Sequence, residues 1–175
     1  MLRIPFYTHG NWKLNETTLA ELETQMVNEE YYDSKANLYT SYEKSFDYPF
    51  GSFYEDRVDE IATEQAFKNI SKITLSYWVQ VYGKDARHGT HTHFLLGGNI
   101  VMSWVHFLKV PETPCFRFTD GENYLIPYCQ NEGDFLVFPS YVQHEVVPHQ
   151  EDDNRIVVAG NIYIKEHSSI GDNLQ

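Results

Sequence analysis

Two textures divide the chain. Up to residue 72 the apolar positions recur at helical spacing or show no period, and from Ile73 onward they come in short β-branched and aromatic runs. Thr18-Leu19-Ala20-Glu21 has the form of a capping box, a hydroxyl answered by a carboxylate one turn later, and predicts a helix to about Glu30. Val58, Ile61, Ala62, Ala66, Phe67 and Ile70 fall on one helical face and predict a second helix. Residues 31–54 between them, rich in Tyr, Phe, Ser and Asp, carry neither period and read as irregular packing or short strands.

The run Ile73 to Tyr82 is a strand by composition and alternation, and residues 99–109, 115–119, 134–138, 145–147 and 155–165 repeat that texture. Gly, Pro, Asn and Asp punctuate the gaps. Short strands in series without intervening helices predict an antiparallel sandwich or barrel, here with about two helices packed outside it. The expected fold class is therefore mainly β with N-terminal helices. The chain reads as a single domain over 1–175: a helical wrap at 1–72, a β core at 73–165 and a tail at 166–175.

Composition narrows the function. The 175 residues are 42% hydrophobic and 15% aromatic, enough for a core without staples, so the two cysteines, Cys115 and Cys129, read as buried or free thiols. A net charge of −12 spread along the chain excludes nucleic acid as an expected partner and disfavours anionic membranes. Met1-Leu2-Arg3-Ile4-Pro5 leads into polar sequence with no apolar signal region, and nothing has the length of a membrane span. The expectation is an intracellular, cytoplasmic chain.

Candidate chemistry lies in the histidines. RHGTHTHFLLGG (87–98) holds His88, His91 and His93. Strand alternation puts His91 and His93 on one face, where two neutral imidazoles can share a divalent metal, although a pair alone is as well explained by a polar loop. A third ligand must come from elsewhere. In GDFLVFPSYVQHEVVP (133–148) an apolar strand breaks at Pro139, and His144 follows at a strand edge able to face the same cavity. In RIVVAGNIYI (155–164), Arg155, Val157, Ala159, Asn161 and Tyr163 alternate onto one face. A buried Arg155 needs an anion, either Asp152 or Asp153 close in sequence or a ligand.

This order of motifs resembles the double-stranded β-helix oxygenases that use Fe(II) and 2-oxoglutarate, and more narrowly the small prolyl-hydroxylase-related group found in phage and marine bacterial genomes. The stretches that carry it are WVQVYGKDARHGTHTH (78–93), SWVHFLKVPE (103–112), GDFLVFPSYVQHEVVP and RIVVAGNIYI, all in the C-terminal half. The resemblance implies a double-stranded β-helix (jelly-roll, cupin-like) core. It implies metal ligation by His91 and His144, and a cosubstrate site in which Arg155 meets the distal carboxylate of 2-oxoglutarate, with Asn161 a further candidate. It implies a hydroxylase consuming dioxygen and turning 2-oxoglutarate into succinate, on an unidentified peptide or small-molecule substrate. His93 stands where the family carries a carboxylate, spaced His-x-Asp or His-x-Glu. If His93 ligates, the centre has three neutral ligands. Tyr82, Trp104 and His106 are candidate pocket residues, and His88 is given no ligand role.

Two other readings remain. A cupin-like metalloprotein also carries His-x-His with a later histidine, but cupins add a glutamate about four residues after the pair, and Phe94-Leu95-Leu96-Gly97-Gly98 holds none. A non-enzymatic β-sandwich interaction protein would leave the histidines incidental.

Overall fold

The computed structural model describes residues 3–9, 12–64, 73–94 and 100–164. The predicted helix positions Ala66, Phe67 and Ile70 lie outside the described residues. In chain order the elements are β1 (Tyr7–His9), α1 (Glu16–Met26), a 3-10 turn (Glu29–Tyr31), β2 (Tyr32–Asp33), β3 (Leu38–Thr40) and α2 (Gly51–Glu64). There follow β4 (Ile73–Tyr82), β5 (His88–His91), β6 (Ile100–Lys109), β7 (Phe116–Thr119), β8 (Tyr124–Leu125), β9 (Phe135–Pro139), β10 (His144–Val146) and β11 (Arg155–Ile164).

The strands form two antiparallel sheets, a large one ordered β1-β9-β6-β11-β4-β3-β2 and a small one ordered β5-β10-β7-β8. This is the two-sheet jelly-roll that the mainly β reading anticipated. β11 sits at the centre of the large sheet, paired along its length with β4 and β6. Buried on both faces, it splits its side chains between two cores. Val157 and Ala159 join Trp78, Phe107, Phe116, Phe118 and Phe138 between the sheets. Ile156, Val158 and Ile162 join Leu22 and Met26 of α1 and Tyr54 and Val58 of α2 on the outer face. Each such large apolar side chain contributes roughly 1.5–3 kcal/mol when fully buried.

Two local outcomes refine the sequence reading. The first helix begins at Glu16, earlier than Thr18, because the Asn15 side chain caps it by accepting from the Thr18 backbone N–H at 2.9 Å. The segment 31–54 contains a small hairpin, β2 and β3, that extends the large sheet through β4. Gly160 lies opposite Trp104 in the β11–β6 register, and a Cβ there would come 2.4 Å from the indole. Only glycine lets the strand pass that ring. Among the described residues no helix is long and apolar enough to cross a membrane. Cys115 and Cys129 are buried free thiols, as expected.

Candidate metal centre

Three segments bring the histidines together. His91 ends β5, and His93 follows just beyond it in a bend whose backbone N–H donates to the Ser140 carbonyl at 3.0 Å. Ser140 belongs to the turn after Pro139, closed by Val142 N–H donating to the Pro139 carbonyl at 3.0 Å, and that turn leads directly into His144 at the start of β10. His144 is in register with His91 across the β10–β5 pair. The proline turn therefore fixes both the third histidine and the backbone of the second.

One ring nitrogen from each of His91, His93 and His144 lies within 4.8 Å of the other two. The ring centroids are 4.2 Å apart for His91–His144, 5.2 Å for His91–His93 and 5.1 Å for His93–His144. His91 Nδ1 meets the Gly89 carbonyl at 2.8 Å and His144 Nδ1 meets the Val142 carbonyl at 3.0 Å. A carbonyl can only accept, so both Nδ1 atoms carry the proton and both Nε2 atoms keep a lone pair. Phe138 and Phe116 flank the His144 ring at 4.9 and 5.6 Å and fix its plane.

Burial lowers the pKa of all three histidines, and their mutual repulsion lowers His93 and His144 further, with His144 well below its ordinary value. The cluster is held neutral, the form in which imidazole ligates a metal. Three neutral nitrogens, convergent and backed by hydrogen bonds, fit a borderline divalent ion such as Fe(II). An incidental surface cluster would not be buried and oriented in this way.

The histidines share a cavity of about 330 Å³ with Trp78, Gln80, Tyr82, Val157 and Arg155. Arg155 is 1% exposed, and its Nη1 and Nη2 atoms have no hydrogen-bond partner. Its guanidinium lies 4.8 Å from the Tyr82 ring centroid and 5.9 Å from that of Phe107. Asp152, one of the two carboxylates close in sequence, turns instead to Lys84 at 2.9 Å on the surface. The Tyr82 hydroxyl donates to Gln80 Oε1 at 2.9 Å, and burial pushes its pKa up to about 12 despite the cation beside it. The cavity therefore holds a fixed, unneutralised positive charge walled by aromatic rings. A carboxylate suits it through charge-assisted, bidentate hydrogen bonds.

No family model matches the chain, and no curated protein does. Solved structures do. A Pseudomonas putida prolyl-4-hydroxylase superposes with a TM-score of 0.67 at 16% identity, over 93% of this chain and 94% of its own. A viral collagen prolyl hydroxylase from Paramecium bursaria Chlorella virus-1, solved with 2-oxoglutarate, gives 0.60 at 12% identity over 92% and 96%. A 2-oxoglutarate/Fe(II) oxygenase-family oxidoreductase from Burkholderia pseudomallei gives 0.64 at 12% identity over 90% and 84%. The fold is that of the 2-oxoglutarate/Fe(II) oxygenases.

Within this oxygenase fold the expected site residues are not all gathered. His91, His93, His144, Arg155 and Tyr82 line one cavity. Trp104 and His106 do not. They alternate with Ser103, Val105 and Phe107 on β6 and so face the helices, where Tyr54 OH meets His106 Nδ1 at 2.8 Å. Asn161 is absent from the cavity wall and lies against His93 instead. His88 does line the cavity, its ring stacked on His91 at 4.2 Å, but it stands outside the trio that can share a metal. A bulge in the β5–β10 pair sets His144 against His91 and Val146 against His88, which brings residues three apart on β5 to the same side. Sequence alternation cannot show that. Gln80 was also missed, although it shares the Tyr82 face of β4.

His106 makes the fold pH-sensitive independently of the metal. Burial lowers its pKa from 6.5 to about 4, with a hydrogen bond to the Trp12 backbone opposing that shift only in part. Above pH 6.5 both folded and unfolded chains leave it neutral. As pH falls through 6.5 the unfolded chain takes up a proton that the folded one refuses. Stability is therefore lost down to about pH 4, by about 3 kcal/mol from this group. Urea unfolding of the metal-free protein at pH 7 and pH 4.5 measures the drop, and His106→Leu, with no proton to take up, shrinks it. A drop of the same size in that variant assigns the pH dependence to other groups.

Proposed function

We propose that the protein is an Fe(II)- and 2-oxoglutarate-dependent dioxygenase that hydroxylates a peptide or small-molecule substrate and releases succinate. The observation that carries this reading is the buried Arg155, with both terminal nitrogens unpaired, in the same cavity as the histidine trio. A metal-binding cupin has no need of that cation, and an interaction domain has no need of either feature.

His91, His93 and His144 would hold the metal, and Arg155 would bind the distal carboxylate of 2-oxoglutarate. A metal held by these residues would supply the Lewis acidity and redox chemistry that couple decarboxylation of 2-oxoglutarate to hydroxylation by dioxygen. The chain's own residues bind and orient. Tyr82 and Phe107 confine the guanidinium, so that it loses little freedom on meeting the carboxylate. Trp78, Val157 and Ala159 line the cavity with apolar surface and exclude water. The Tyr82 hydroxyl, protonated at neutral pH and engaged with Gln80 Oε1, adds no negative charge beside Arg155. The prolyl hydroxylases that share the fold lend the peptide alternative its support.

The test is anaerobic titration of the protein with Fe(II) and then 2-oxoglutarate. The expected result is a visible charge-transfer band from chelated keto acid, at one equivalent of each. Metal uptake without the band would indicate the cupin-like reading, and no metal uptake would indicate the non-enzymatic one. Succinate release in air against panels of peptides and metabolites then identifies the substrate.

A further inference from the structure

His93 is the departure from the family pattern, and the structure surrounds it with polar atoms that the cavity does not use. Its Nδ1 lies 2.6 Å from Asn161 Oδ1 and 3.0 Å from Ser103 Oγ, and Ser103 Oγ–H donates to the same Oδ1 at 3.0 Å. All three side chains are buried, Ser103 and Asn161 at 0% and 1% exposure. Ser103 and Asn161 are direct partners in the β6–β11 register, so the central strands of the large sheet hold the pair rigidly behind the imidazole.

We propose that Asn161, oriented by Ser103, is the positioning residue that fixes His93 as the Nδ1–H tautomer and so lets a histidine ligate at the position where the resemblance expects a carboxylate. The inference rests on the metal reading above and assigns Asn161 to the metal's support in place of the cosubstrate. Ser103 has one proton, and giving it to Oδ1 turns the amide oxygen toward both partners. The oxygen's remaining lone pair can then take only an N–H, which places the proton on His93 Nδ1 and leaves Nε2 bare. The opposite arrangement, with the amide nitrogen donating to a bare Nδ1, would put the proton on Nε2 and abolish ligation. A carboxylate ligand has no tautomers and needs no such partner. A histidine at the same place does.

Nitrogen-15 NMR of the imidazole rings in the metal-free protein reads the tautomer directly, with the His93 signals assigned by their loss in His93→Gln. The unsubstituted protein is expected to show His93 as Nδ1–H. Asn161→Leu, near in volume but without an acceptor, is expected to move it toward Nε2–H and to weaken Co(II) binding about 10- to 100-fold. Asn161→Asp keeps an acceptor oxygen and should keep both the Nδ1–H signature and the Co(II) affinity, a rescue that a packing role for Asn161 would not give. Ser103→Ala removes only a hydroxyl and is the second variant should leucine prevent folding; it is expected to give a mixture of tautomers. An Nε2–H His93 in the unsubstituted protein that still binds Co(II) overturns this proposal alone. Folded Asn161→Leu or Ser103→Ala with unaltered tautomer and affinity does the same. Failure of the unsubstituted protein to bind Co(II) overturns the metal reading, and this one with it.

Discussion

Arg155→Met is expected to make the ligand-free protein more stable, by ~1–4 kcal/mol, while removing its response to 2-oxoglutarate. The guanidinium is buried without a hydrogen-bond partner for either terminal nitrogen, so the folded chain carries the desolvation cost of a charge that only the neighbouring Tyr82 and Phe107 rings offset in part. Methionine keeps most of the linear stem and lays a polarisable sulfur between the Tyr82 and Phe107 rings that now flank the cation. What is lost is the carboxylate site. Removing one member of a buried charged pair costs about 2–5 kcal/mol of binding, or at least ~30-fold in 2-oxoglutarate affinity. Metal binding should hardly change, because the three histidines are untouched. Urea unfolding with and without 2-oxoglutarate gives both numbers, since a ligand that binds only the folded state raises its stability by mass action. A less stable Arg155→Met protein would mean that the guanidinium is already satisfied in the resting protein. The cavity would then have no claim on an anion.

The frame that would hold such a site is legible in part from the sequence. The apolar runs located β4, β6 and β11 to within a residue or so, because a strand buried on both faces leaves a long uninterrupted signal. Alternation along β11 correctly put Arg155, Val157, Ala159 and Asn161 on one face. What alternation could not supply was which face of a neighbouring strand looks the same way. β6 has apolar residues on both sides, so nothing in its pattern told Trp104 and His106, which face the helices, from Ser103 and Val105, which face the other sheet. His88 was given no ligand role and stands outside the trio, but its place on the cavity wall was hidden by the β5 bulge, which adds a residue to one strand of a pair and shifts the side-chain phase. The role of Asn161 depended on a cross-strand partner, Ser103, that lies 58 positions away and carries no motif. Short strands such as β1, β2 and β8 left too few residues to establish any period.

The substitution at His93 separates ligation from mere proximity most sharply. His93→Ala is expected to lower Co(II) affinity by more than ~100-fold, beyond the loss typical of an outer-shell partner, because two nitrogens remain where three converged. His93→Asp is expected to recover most of that loss. The carboxylate brings a negative charge to a cluster of neutral imidazoles, and Asn161 can turn its amide so that the nitrogen, not the oxygen, faces the new acceptor. The metal-free His93→Asp protein should nonetheless be less stable than the unsubstituted one at pH 7, since it buries a carboxylate in a site that is 7% exposed, beside imidazoles that burial holds neutral. At equal affinity the ion stabilises both folded proteins equally by mass action, so the aspartate variant should remain the less stable of the two with metal bound. Isothermal titration with Co(II) and thermal unfolding with and without the ion measure the two effects separately. Equal Co(II) affinity in the unsubstituted, alanine and aspartate proteins would show that His91 and His144 hold the ion without residue 93, and that the short hydrogen bond to Asn161 supports the fold alone.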